Sequence, residues 1–252
     1  MRRARKLLKA CKVLNSTPTS VIAEISSIVA YISIIAYLLP NIVVLIFPMK
    51  LQDNLPDQLF YFSMVMMMLI MKSIYTSFFT DRRKGTKNNL RELTIHLPLS
   101  KKDFVMAHYI RSLEIFFPAF IFLIVAIALN ILLDSNLRCE IQLGIMILGF
   151  CITYILISLE KGICTYYYVD PRIREVSYML LAFVWVGIEE LLTESLTLYI
   201  DKMILSDRGK NCLEFVCSMG GLKGIVLILG VVILGYFCQV KLPERLERSK
   251  QP

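Results

Sequence analysis

Three stretches of this chain, residues 25–47, 115–133 and 141–159, contain no charged side chain and are almost wholly apolar. Each approaches the roughly 20 residues a helix needs to cross about 30 Å of hydrocarbon, and a water-facing helix of that length would carry a polar face. Residues 59–79 add a fourth run, broken only by Lys72, and residues 219–240 add another once Met219 to Lys223 complete the stretch that starts at Gly224. Residues 173–190 are the short case. There the apolar run stops at Glu189 and Glu190, so it tilts, continues upstream, or sets the acidic pair at the far membrane surface. The expected fold is all-α, a polytopic membrane protein with six transmembrane helices in a single domain over residues 1–252.

The basic residues give this topology a direction. An even number of spans places both termini on one side, and Lys and Arg concentrate in cytoplasmic loops. In the six-span arrangement, 22 of the 28 basic residues fall at the N-terminus, between Lys72 and Arg111, around Lys161, Arg172 and Arg174, and in the tail. Both termini are therefore expected in the cytoplasm. The formal charge of +8 is mainly a topology signal, with attraction to anionic headgroups second, and lends little to nucleic-acid binding. No cleavable leader is expected, because the first apolar run begins more than twenty residues in and is long enough to stay.

Seven cysteines are scattered without Cys-x-x-Cys spacing and without neighbouring histidines, so no metal site is expected. Cys212 and Cys217 fall outside, as a disulfide or as two free thiols. Residues 1–20 read as an interfacial helix: Ala4, Leu7, Leu8, Cys11 and Leu14 share one face with basic residues around it. It serves as an anchor, as an elbow that carries motion into the first span, or as both. Pro40 with Asn41, and Pro118, free backbone groups inside spans and mark packing kinks or moving segments.

The one large charged insert is residues 80–114. After Gly85 and Thr86, the residues Leu90, Leu93, Thr94 and Leu97 fall on one face of a short helix, with Lys87, Asn88, Arg91 and Glu92 on the others. Pro98 ends it. Ser100, three residues before Asp103, then starts a new helix with an anion at its positive end. That helix runs through Phe104, Val105 and Tyr109 into the third span. The insert reads as a small helix held across two membrane helices and able to receive a push, or as an amphipathic loop packed on headgroups.

The stretch FFTDRRKGTKNNLRELTIHLPLSKKDFVMAHYI resembles the signature region of type-2 ABC transporter permeases. There, a charged segment and a Leu-rich helix precede a Leu-Pro-x-Ser-(Arg/Lys)-Lys-(Asp/Glu) element, which here runs from Leu97 to Asp103. The nearest group is the compact six-helix permeases of Gram-positive bacteria that export amphipathic peptides or confer resistance to them. His108 stands where that family often has Lys, and Lys87-Asn88-Asn89 where a more acidic or apolar stretch is common. The resemblance implies a bacterial plasma-membrane permease that pairs with a second copy or paralogue and with ABC ATPase subunits. In that picture the helix ending at Leu97 is a cytoplasmic coupling helix. Leu90, Leu93 and Leu97 are its packing face on the ATPase, and Arg91 and Glu92 give polar registration. ATP and Mg belong to the partner, and this chain holds no cofactor and no catalytic residue. Its own residues fit that division: Gly209-Lys210 is followed by Asn211 and lacks the upstream glycine of a phosphate-binding loop.

Lys72 either snorkels to the inner surface or lines a pathway. Met67 and Met68, with Met64, Met66 and Met71, make an adaptable wall for apolar ligands or ordinary filler. Glu189 and Glu190, with the amphipathic stretch after them, either cap an exit or form a solvated surface. Two rivals to a transporter stand. Glu189-Glu190 resembles the Glu-Glu-x-x-x-Arg motif of intramembrane proteases, but the sixth position is Glu194, and His96 and His108 lie on the opposite face of the bilayer. A non-transporting membrane anchor or immunity protein keeps the topology and loses the ATPase.

Overall fold

The computed structural model describes residues 18–46, 58–75, 101–132, 137–166, 176–187, 207–242 and 245. Every regular element among them is helical: α1 Pro18–Ile46, α2 Gln58–Tyr75, α3 Lys101–Leu132, α4 Leu137–Tyr166, α5 Val176–Gly187, α6 Asp207–Met219 and α7 Leu222–Tyr236, the last continuing as a π-turn, Phe237–Lys241. The fold is all-α and polytopic. Among the described residues four helices are long and apolar enough to span a membrane, and two more, Gln58–Ser73 and Val176–Gly187, are apolar but shorter.

Helices α1 to α4 run alternately up and down, which gives the bundle two ends. Lys72, the start of α3, Lys161 and the π-turn with Lys241 share the basic end, and Gln58, Cys139 and α6 share the other. Helix α4 is the hub. It packs on α2, α3, α6, α7 and the π-turn and is largely buried, whereas α1, which rests on α2 and α3, is largely exposed. The outward face of α1 carries Ile25, Ile28, Ile32, Ile35, Leu39 and Ile46, and that of α7 carries Val226, Leu229 and Ile233. Such faces are stable against lipid or another apolar helix and not against water.

Several polar side chains of α1 are satisfied locally. The hydroxyls of Ser26, Ser27 and Ser33 donate to carbonyls one turn back, at 2.8 to 2.9 Å. Helix α1 continues through Pro40, and the Asn41 amide donates to the Tyr37 carbonyl at 2.7 Å beside that break. Helix α3 likewise runs through Pro118, which is buried.

Aromatic rings fill the core in two sets. Tyr37 stacks on Phe122 at 4.7 Å between centroids, and Phe62 meets Trp185 edge-on at 5.4 Å. Phe116, Phe120, Phe150 and Tyr154 form the second set between α3 and α4. Offset and edge-on pairs each add about 0.5 to 1.5 kcal/mol beyond their area.

The last span begins later than residue 219. Gly220 donates to the Cys217 carbonyl at 2.9 Å and closes α6, and a turn at Gly220–Gly221 redirects the chain into α7. Two glycines in succession supply the backbone freedom that this corner needs. Helix α6 lies against α4 where the Val216 carbonyl meets Gly144, a contact that any β-carbon would block.

Candidate functional site

Of the residues singled out from sequence, Leu90, Arg91, Glu92, Leu93 and Leu97 lie outside the described residues, as do Glu189 and Glu190 and the interfacial segment 1–17. Lys72 is half-buried in the last turn of α2, at the basic end. Met67 and Met68 are half-buried and pack against the apolar core, beside the fully buried Met66. The structure does not bring Lys72 and the two methionines into one polar site: they follow one another down α2, with Leu69 and Ile70 buried between them.

What is assembled at the basic end is a cluster that no single segment of sequence announces. Ser112 of α3 and Ser158 of α4 are fully buried, and Gln239 of the π-turn is 2% exposed. The Gln239 amide Nε2 donates to the Ser158 hydroxyl at 3.0 Å and to the Ser112 hydroxyl at 3.4 Å. The Lys161 ammonium donates to the same Ser112 hydroxyl at 3.0 Å. Three helices are thus tied by one carboxamide and one cation. Interhelical hydrogen bonds in membranes average about 0.6 kcal/mol each. Gln239 Oε1, by contrast, is buried with no hydrogen-bond partner, which costs about 1 to 3 kcal/mol. The two contributions nearly cancel, so this side chain orients the helices more than it stabilises them.

Backbone geometry makes the cluster possible. A π-turn takes an extra residue into one turn, and such bulges frequently mark functional sites. Here the wide turn brings the Cys238 carbonyl against Gly162 of α4, nearer than a β-carbon would permit. The Tyr109 hydroxyl donates to the Val232 carbonyl at 3.2 Å, and its ring meets Tyr236 edge-on at 5.3 Å, fastening α3 to α7 ahead of the π-turn. Arg111 pairs with Glu114 at 3.0 Å along α3, an i,i+3 contact worth at most a few tenths of a kcal/mol because Glu114 is half exposed.

The opposite end is held by a second carboxamide. The Tyr37 hydroxyl donates to Gln58 Oε1 at 3.4 Å, and Gln58 Nε2 donates to the Cys139 carbonyl at 2.5 Å, so α1, α2 and α4 meet at one side chain. Cys212 and Cys217 are both free on α6, the first exposed and the second half-buried. Burial, and then the Glu140 carboxylate, push the Cys217 thiol above its ordinary value, against a smaller opposing backbone hydrogen bond. Among the described residues no group of His, Cys, Asp and Glu could hold a metal ion.

A bundle of long apolar helices tied at both ends by buried amides is a membrane architecture. The family model described as ABC-2 family transporter protein matches residues 22–242, nearly the whole chain. This chain belongs to the ABC-2 transporter family. No curated protein and no solved structure matches it. Members of the ABC-2 family are membrane components of transporters, and their ATPase is in general a separate subunit. As an ABC-2 chain with several apolar spanning helices, it is a multi-pass membrane permease. The residues that sequence reasoning missed in this permease are Ser112, Ser158 and Gln239. The available signal was a polar side chain inside an otherwise apolar run, which in hydrocarbon demands a partner.

Proposed function

We propose that the chain is the membrane-spanning subunit of an ATP-driven exporter in a bacterial plasma membrane, moving amphipathic or antimicrobial peptides, or other hydrophobic and lipid-like molecules, out of the cell. A second copy or a paralogue completes the membrane part. A separate ATPase subunit binds ATP and Mg2+, and the basic end of the bundle faces the cytoplasm, with both termini.

One observation carries this reading beyond family membership. Helix α3 is unbroken from Lys101 to Leu132, so it starts within the charged insert and runs about 48 Å through the bundle. A displacement applied at its basic end is passed to the opposite end as a rigid-body movement, which is how closure of an ATPase pair becomes motion in a membrane. The cluster of Ser112, Ser158, Lys161 and Gln239 sits where that movement enters.

The test is co-purification in mild detergent, with Leu93→Asp in the coupling segment as the discriminating variant. A carboxylate buried unpaired in the ATPase contact costs about 3 to 5 kcal/mol. The variant is expected to insert at normal levels, lose the ATPase and lose transport, with Arg172→Ala much milder. An unchanged partner and wild-type transport in Leu93→Asp would remove the coupling role and favour a non-transporting anchor.

A further inference from the structure

Three features of the last span stand together without an assigned role. The helix widens into a π-turn at Phe237–Lys241, Gln239 within it is buried with its carbonyl oxygen unpartnered, and the Cys238 carbonyl occupies the space that Gly162 leaves open. A π-turn is a less favourable backbone than the α-helix on either side of it, so something must hold it open. The holding contacts come from outside the helix: the two hydroxyls of Ser112 and Ser158 that receive the Gln239 amide.

We propose that this π-turn is a two-register latch, held open by the Gln239 bridge between α3 and α4 and closing to an ordinary α-helix when those two helices part. Closure removes the extra residue from the turn, which carries everything after it around the helix axis by one position, about 100°. Gln239 then leaves the pocket and its unpartnered oxygen reaches the headgroup layer. Lys161 keeps Ser112. Lys241 and Arg245 swing to another face of the bundle, and the cation–π contact of Arg245 on Phe237, 5.5 Å from the ring centroid in the open register, is exchanged.

The latch is poised because its terms oppose one another. Two donated hydrogen bonds favour the open register, and a buried orphan oxygen and the less favourable π backbone oppose it. A shift between Ser112 and Ser158 of an ångström or two breaks both bonds at once, so small movements of α3 are amplified into rotation of the tail. This deepens the transporter reading by giving the α3 movement a destination, the basic tail beneath the last span.

Dipolar EPR on the full chain in liposomes tests it, with nitroxides at Ile163→Cys on α4 and Leu242→Cys just past the turn, and with the native cysteines other than Cys238 replaced. The expected spectrum holds a main distance and a minor one. Ser112→Ala and Ser158→Ala, which remove an acceptor without adding bulk, shift the ratio toward the minor distance about threefold each and about tenfold together. Deletion of Val240 has the opposite signature: with the extra residue gone, the helix is α throughout and the tail stays in the open phase, so the main distance alone remains. A single distance unchanged across all these variants overturns the latch. The measurement uses no ATPase, so that outcome leaves the transporter reading to the co-purification test.

Discussion

The backbone carbonyl of Cys238 lies against Gly162, in space that a β-carbon would fill. The contact places the π-turn on α4, and the first prediction follows from it. Gly162→Ala forces the two helices apart or flattens the turn, and overpacking of this kind costs about 1 to 3 kcal/mol. Gly230→Ala, where nothing lies within 4 Å, is the matched control and is expected to be neutral. Unfolding of the two variants in mixed micelles measures the difference, and equal midpoints would sink the claim.

Trp185 is the chain's one tryptophan, 1% exposed, with its indole N–H donated to the Thr153 hydroxyl at 3.0 Å and its ring edge-on to Phe62. Gly149 lies beneath it, where an added β-carbon would come within 2.8 Å of the ring. Its fluorescence is therefore expected to resist quenching by aqueous iodide. Thr153→Val keeps the shape and orphans the indole, costing about 1 to 3 kcal/mol, whereas Thr153→Ser keeps the acceptor and restores most of that loss. Strong iodide quenching in the native protein would contradict the placement of α5.

Gln58 joins α1, α2 and α4 through one carboxamide. Gln58→Leu removes both hydrogen bonds and leaves the Tyr37 hydroxyl and the Cys139 carbonyl to find other partners. The expected cost is about 1 to 2 kcal/mol, near the upper end for membrane hydrogen bonds because two are lost together. Tyr37→Phe, which removes the longer bond and keeps the stack on Phe122, is expected to cost well under half of that.

The two thiols of α6 differ in their surroundings. Cys217 is half-buried with its pKa raised above the ordinary 9.0, by burial first and then by Glu140. Raised means less thiolate at any pH below the titration, so alkylation of Cys217 rises tenfold per pH unit and keeps rising past pH 9. Glu140→Gln removes the anion, lowers the pKa and speeds alkylation at pH 8. Exposed Cys212 gives the reference for accessibility. If Glu140→Gln slows Cys217 instead, the electrostatic assignment has the wrong sign.

Sidedness is tested by single-cysteine labelling in intact cells. With 22 of 28 basic residues on one face of the six-span arrangement, positions near Asn54 and Asn136 are expected to react with an impermeant maleimide, and positions near Thr86 and Ser249 to stay protected. Labelling at Thr86 from outside would invert the bundle.

Much of the architecture was legible in the chain. Uncharged runs near twenty residues long determine helices in hydrocarbon, since no other local structure satisfies the backbone there. The start of α3 after Ser100 was legible too, because a capping residue and an acidic side chain three positions later fix a helix N-terminus locally. The break at Gly220–Gly221 was visible as a pair of glycines, but its consequence was not: whether the chain turns there depends on whether α4 offers α6 a surface.

The candidate site divides the same way. Sequence alone determined the membrane, the family-like charged insert and the asymmetry of charge, all of which are properties of contiguous residues. The cluster at the basic end was decided by tertiary structure. Ser112 and Gln239 are 127 positions apart, and nothing in the run around Gln239 says that the helix will widen there, that Gly162 will admit its backbone, or that two hydroxyls will be waiting. A π-turn is chosen by the contacts it makes with other helices, not by the propensity of its own residues, and such contacts exist only once the spans have packed.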